Sequence, residues 1–144
     1  MRINGGWFLG ADGISRPVIW AQILTHHGLW IAAPFLVDTG ADRTVLSAGV
    51  LATLQLPSLV AHEWLGGVGG IVSSVLVDTQ VRFVQEVGGP ITIRGQYAAV
   101  TAPDALDMSV LGRDVTGLFA VMVDQPGQVV CMLGQRHRYR IEAQ

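Results

Sequence analysis

The sequence predicts an all-β domain. Apolar runs of strand length recur along the chain, glycine-bearing turns separate them, and only one or two short stretches suit a helix. At 144 residues the chain is long enough for one domain with its own core. No repeat, linker or low-complexity segment divides it.

Residues 1–15 are glycine-rich and read as a flexible N-terminal arm. Residues 17–24 form a strand, 25–28 a turn holding His26 and His27, and 29–37 a returning strand that ends at Asp38. Residues 17–37 carry no Asp, Glu, Lys or Arg, yet Pro34, the histidine pair and Gly28 argue for two strands rather than a membrane span. Residues 47–54 suit a short helix with Ser47 as its N-cap, and Pro57 closes that region. A hairpin runs over residues 59–84 with Gly66, Gly67, Val68, Gly69 and Gly70 at its tip. Residues 91–101 add a strand broken at Gly95, 115–118 a helical turn, and 119–123 with 129–133 a last hairpin around the turn 125–128. Residues 136–144 read as a C-terminal tail or edge strand.

Composition bounds the function. Hydrophobic residues make up 50% and charged ones 14%, so a partner subunit is expected to cover some apolar surface. A formal charge of -2 predicts no general attraction to nucleic acid. All nine basic residues are arginine, and the absence of lysine excludes a Walker-type phosphate loop. Cys131 is the only cysteine, which rules out an intrachain disulfide and allows a reducing compartment. With no apolar signal core at the start and no spanning segment, a cytoplasmic location is expected.

Three motifs carry chemistry. The first is Asp38-Thr39-Gly40-Ala41-Asp42, which occurs once, at the end of an apolar strand. One carboxylate cannot act as both general acid and general base on the same water, so a second chain must supply its mate. Two carboxylates about 3 Å apart across a two-fold axis share one proton, as aspartic dyads in general are known to do. Thr39 can then hydrogen-bond across the two-fold axis, and Gly40 lets backbone approach the carboxylates. The second motif is the glycine cluster 66–70, which suits a hairpin tip that bends over a ligand and excludes water. The third is Val110-Leu111-Gly112-Arg113-Asp114, in which Arg113 is a candidate buried arginine with Asp42 as its bidentate partner.

Together, in this order and spacing, these motifs resemble the retropepsin-like aspartic proteases, the retroviral type and its cellular and bacterial relatives, over residues 16–135. The resemblance implies a closed, barrel-like all-β subunit with a glycine-rich flap and one or two short helices. It implies a homodimeric endopeptidase acting on polypeptide, with no metal or cofactor. By matching positions Asp38 is catalytic, and Thr39 and Gly40 complete its loop. Ala41 and Asp42 face the substrate backbone, and Gly66, Gly67 and Val68 belong to the flap, the Val68 N–H holding a water or the substrate carbonyls. Met108 and Val110 line side-chain pockets. Arg113 braces the loop, and Arg16 reaches the partner subunit's active-site loop. Arg43 stands where several retroviral enzymes carry a second acid. Ala41 offers no hydroxyl to stabilise the carboxylate, which predicts a weakly acidic to near-neutral optimum.

Taken singly, each motif has an ordinary explanation as a turn or loop, and the glycine cluster fails as a dinucleotide fingerprint because Val72 occupies the last glycine position. His26 and His27 suit an exposed turn better than a metal site, and Cys131 a small buried hydrophobe. Trp7, Trp20, Trp30 and Trp64 suit core, interface or groove wall better than a platform for bases. The alternation of Arg136, Arg138 and Arg140 with His137 and Tyr139 suits a solvated tail better than a nucleic-acid contact. The competing function is a non-catalytic peptide-binding or dimerisation module on the same fold.

Overall fold

The computed structural model describes residues 1–67, 70–134 and 140–142. The elements in chain order are β1 (Arg2–Asn4), β2 (Gly6–Leu9), β3 (Ser15–Leu24), β4 (Trp30–Val37), β5 (Val45–Leu46), α1 (Ala48–Leu54), β6 (Leu59–Gly67), β7 (Gly70–Phe83), β8 (Ile91–Val100), β9 (Ser109–Leu111), α2 (Arg113–Thr116), β10 (Ala120–Asp124) and β11 (Val129–Leu133). The fold is all-β with two short helices, as the sequence predicts.

Period-two alternation builds the core. Ile19, Ala21 and Ile23 of β3 and Ala33, Phe35 and Val37 of β4 point inward, where they meet Leu46, Val77, Val81, Phe83 and Leu111. The strands lie in an eight-stranded sheet of order β2-β3-β4-β9-β5-β8-β7-β6, and β3 also pairs with β7 through Gln22–Arg82 and Ile23–Val81. The pairings therefore form a ring, β3-β4-β9-β5-β8-β7, around that core. A second sheet, β1-β11-β10, adds Ile3, Val130 and Met132 to it.

Several boundaries differ from expectation. Residues 1–15 are not a loose arm: β1 pairs with β11 and β2 with β3, and Ile3 is buried. The glycines at 5 and 6 mask this locally, and Gly5 is required, since a Cβ there would lie 2.6 Å from Ile19 Cγ1. Strand β8 runs unbroken through Gly95, which keeps its ladder partner Thr79. Helix α2 starts earlier than residue 115. Helix α1 is capped as expected, the Ser47 hydroxyl accepting from Val50 N at 3.4 Å, and Gln55 ends it in the left-handed region at φ 52°. The last hairpin turns through a Gln128 N–H donation to the Gln125 carbonyl at 3.1 Å. Cys131 is buried in β11. The tail is described only at 140–142, which form no element, so the expectation for 136–139 and 143–144 lies outside the described residues.

Tyr97 of β8 is 3% exposed and donates its hydroxyl to the Ile93 carbonyl at 3.0 Å. Burial, and then the negative charge of Asp114, pushes its phenol from the ordinary 10.0 up to about 12. The folded state thus disfavours the ionised form. Its contribution to stability is complete below about pH 10 and is lost as pH rises towards about 12. A spectrophotometric titration of the folded protein should show Tyr97 ionising near 12, and Tyr97→Phe should flatten the stability loss across that window. A native Tyr97 titrating at the ordinary value would contradict the assignment.

Candidate active site

Asp38 stands where β4 leaves the sheet. Buried Phe35 and Val37 anchor the strand, and the register Val37–Leu111 sets β9 beside it. The Asp38 N–H donates to the Leu111 carbonyl at 3.2 Å and the Ala41 N–H to the Asp38 carbonyl at 3.2 Å. The carboxylate Oδ1 accepts from Gly40 N at 2.9 Å, which orients the group. A Cβ on Gly40 would sit 3.2 Å from that oxygen, so a larger residue after Thr39 would press on the carboxylate and shift it by a few tenths of an ångström.

The loop is held from behind by the β9–α2 junction. The Arg113 guanidinium pairs with the Asp42 carboxylate and donates to the Thr39 carbonyl at 3.1 Å and the Gly40 carbonyl at 3.4 Å. Arg113 and Asp42 do pair, but not as the bidentate, buried pair expected: one guanidinium nitrogen meets one carboxylate oxygen, and the Arg113 side chain is 54% exposed in the single chain. The Arg113 N–H donates to Ala41 O at 2.8 Å and Asp114 N–H to Asp42 O at 3.3 Å. Thr44 and Asp114 complete the brace; Asp114 belongs to the third motif, but Thr44 and its pairing with Asp114 were not read from sequence. Asp114 Oδ1 accepts from Thr44 N at 2.8 Å and from Thr44 Oγ1 at 2.7 Å, and Thr44 Oγ1 in turn accepts from Gly112 N at 3.1 Å. An acid after Gly-Arg, 70 positions from a threonine that follows the Asp-Thr-Gly loop, was the available cue.

Strands β6 and β7 form the expected hairpin, with Leu65 opposite Val72, Gly66 opposite Ile71 and Gly67 opposite Gly70. Gly70 has φ 111°, a conformation L side chains rarely adopt. Val68 lies outside the described residues. Leu65 and Gly66 face Gly40, Ala41, Asp42 and Arg43 across a cavity of about 450 Å³. Met108 and Val110 line a second cavity of about 660 Å³ together with Pro34 and Leu36.

Arg16 borders that second cavity, and within the chain its guanidinium is held by Asp12 through contacts of 2.6 and 3.0 Å. These bonds, and then the Ile14 N–H, hold the Asp12 carboxyl down at about 2.

His26 and His27 sit edge to face in an exposed turn, and His27 Nε2 lies 2.9 Å from Gln55 Oε1. Among the described residues no group of three or more His, Cys, Asp or Glu converges as metal ligands, and no helix is long and apolar enough to cross a membrane. Trp30 is stacked by Arg82 at 4.0 Å, Trp7 Nε1 donates to Asp124 O at 3.3 Å, and Trp20 is exposed.

A family model described as aspartyl protease matches residues 24–115, which span the Asp-Thr-Gly loop, the β6–β7 hairpin and the Gly-Arg-Asp segment. The chain belongs to the aspartyl protease family. Its retropepsin-like character follows from solved structures. One is EIAV protease complexed with the inhibitor HBY-793, at 25% identity and TM-score 0.51, covering 71% of this chain and 86% of that one. Another is a retropepsin-like aspartic protease from Rickettsia conorii, at 16% identity and TM-score 0.51, covering 92% and 88%. The latter likeness is one of fold. No curated protein matches the sequence significantly. In this retropepsin-like chain, Gly40 of the sole Asp-Thr-Gly loop lines one cavity with Leu65 and Gly66 of the hairpin, while β4 and β9 contribute Pro34, Leu36 and Val110 to the other.

Proposed function

We propose that the protein is an aspartic endopeptidase that works as a homodimer, with a water activated between two copies of Asp38. The observation that carries this is a single carboxylate, oriented by Gly40 N and mounted on a loop braced by Arg113, in a chain with only one Asp-Thr-Gly. Two such loops facing each other supply an acid and a base where one supplies neither pair.

The ionised Asp38 takes a proton from the water as its oxygen attacks the scissile carbonyl. The protonated Asp38 of the other copy donates to the carbonyl oxygen. Collapse of the tetrahedral intermediate breaks the C–N bond, with a proton delivered to the leaving amine. Substrate lies extended between the hairpin and the loop, adding strand-like hydrogen bonds. Gly66, Gly67 and Val68 act as the flap that excludes water, and Ala41 and Asp42 meet the substrate backbone. Thr39 ties the two loops together, and Arg16 lies on the side that faces the partner.

Cleavage of a mixed peptide library, blocked by a statine-type transition-state mimic, tests the activity. Dilution tests the shared site. Specific activity should fall as the protein is diluted through its dimer dissociation constant, in step with the sedimentation-derived dimer fraction. Undiminished specific activity in a sample shown to be monomeric would overturn the reading.

A further inference from the structure

Alternation along β4 puts Pro34, Leu36 and Asp38 on one face, opposite core-facing Phe35 and Val37. On β9, Val110 is the register partner of Leu36 and shares that face. The cavity of about 660 Å³ that these side chains floor with Met108 and Phe8 therefore begins two residues from Asp38 along the strand.

Its rim has the opposite character. Asp104 and Asp107, both exposed on the segment between β8 and β9, lie along it with Asp12 and Arg16. Arg16 is the only cation of the lining: Asp12 grips it directly and Asp107 acts on its charge from further away, while neither Asp104 nor Asp107 makes a contact ion pair with a described residue. Three carboxylates against one guanidinium leave an excess of two negative charges above an apolar floor. A side chain with a long aliphatic stem and a cationic tip satisfies both parts at once: the stem replaces water on the floor and the tip meets the carboxylates. A norleucine-like side chain gains only the floor, and an acidic one is repelled.

Taking this cavity as the side-chain pocket that the resemblance assigns to Met108 and Val110, we propose that Asp104 and Asp107 make it select arginine or lysine. The inference rests on the endopeptidase reading above and deepens it by naming the substrate class.

The test uses two statine-type peptides, and the two matching cleavable ones, that differ only by arginine against norleucine at that position. Calorimetric binding to the wild-type protein and kcat/KM for cleavage are compared with Asp104→Asn/Asp107→Asn. The ratio within each protein is the readout, so a general loss of folding or dimer cancels. Wild type should favour arginine by roughly fivefold to tenfold, less at high salt, and the double variant should approach parity. Equal binding of the two mimics by wild type, or an arginine preference that survives in the double variant, overturns the proposal. Arginine-selective binding without any cleavage would uphold the pocket and sink the endopeptidase reading. Cleavage without selectivity would do the reverse.

Discussion

An Asp38→Asn variant is expected to lose peptide cleavage by at least about a thousandfold while keeping its fold and its dimer. The chemistry is lost because an amide neither takes a proton from water nor gives one to a carbonyl oxygen at useful rates. The structure is kept because, among the described residues, the Asp38 side chain accepts its hydrogen bond from Gly40 N, at 2.9 Å, and an Asn Oδ1 accepts it equally well. The backbone bonds of the loop, from Asp38 N to Leu111 O and from Ala41 N to Asp38 O, do not involve the side chain at all. In the variant dimer both copies carry an uncharged amide, so no charge repulsion arises between the two loops. Mixing variant and wild type makes the test sharper. If subunits exchange freely and a competent site needs two aspartates, an equal mixture keeps about a quarter of the wild-type activity rather than half. Activity of the pure variant, or a mixture that loses only half, would refute the paired-carboxylate mechanism.

What was legible in the sequence was local, and what was missed was mostly long-range. The end of β4 at Asp38 could be read because an apolar run stops at an acid next to a glycine. The α1 cap, the two hairpins and the Arg113–Asp42 pair each rest on a short motif with its own physical requirement. Strand β1 could not be read this way: Arg2 finds its partner at Leu133, and a three-residue strand beside two glycines carries almost no propensity of its own. The two-residue β5 is a product of the sheet and not of its sequence, since it exists by lying between β8 and β9. Gly95 suggested a break, but in a strand paired along its whole length the ladder overrides the residue's weak preference. The Thr44–Asp114 hydrogen bonds span 70 positions. The cavity floor by contrast was within reach, because the period of two that places Asp38 also places Pro34 and Leu36 beside it.

The second large effect belongs to Gly112, and it separates steric necessity from mere flexibility. The residue has φ -93°, so its backbone is open to any L side chain. Space is what it lacks. A Cβ at this position would run into the Arg43 carbonyl group and lie 2.8 Å from the Arg43 nitrogen, atoms that no rotamer change can move aside. Gly112→Ala therefore has to push the β9–α2 junction away from residues 41–44. That strains together the bonds from Gly112 N to Thr44 Oγ1 at 3.1 Å, from Arg113 N to Ala41 O at 2.8 Å and from Thr44 to Asp114. The expected loss is about 1–3 kcal/mol of stability or more, seen as a lower midpoint in urea. Activity should fall further than stability alone accounts for, because a displacement of about 1 Å at Asp38 costs on the order of a hundredfold. Gly49→Ala supplies the contrast. It lies on the exposed side of α1 with nothing within 4 Å of its Cβ, so alanine should raise stability by about 0.5–1 kcal/mol through helix propensity. Equal and small effects at the two positions would mean that the Arg43 backbone yields freely. The close packing of β9 and α2 against the loop would then not be what holds Asp38 in place.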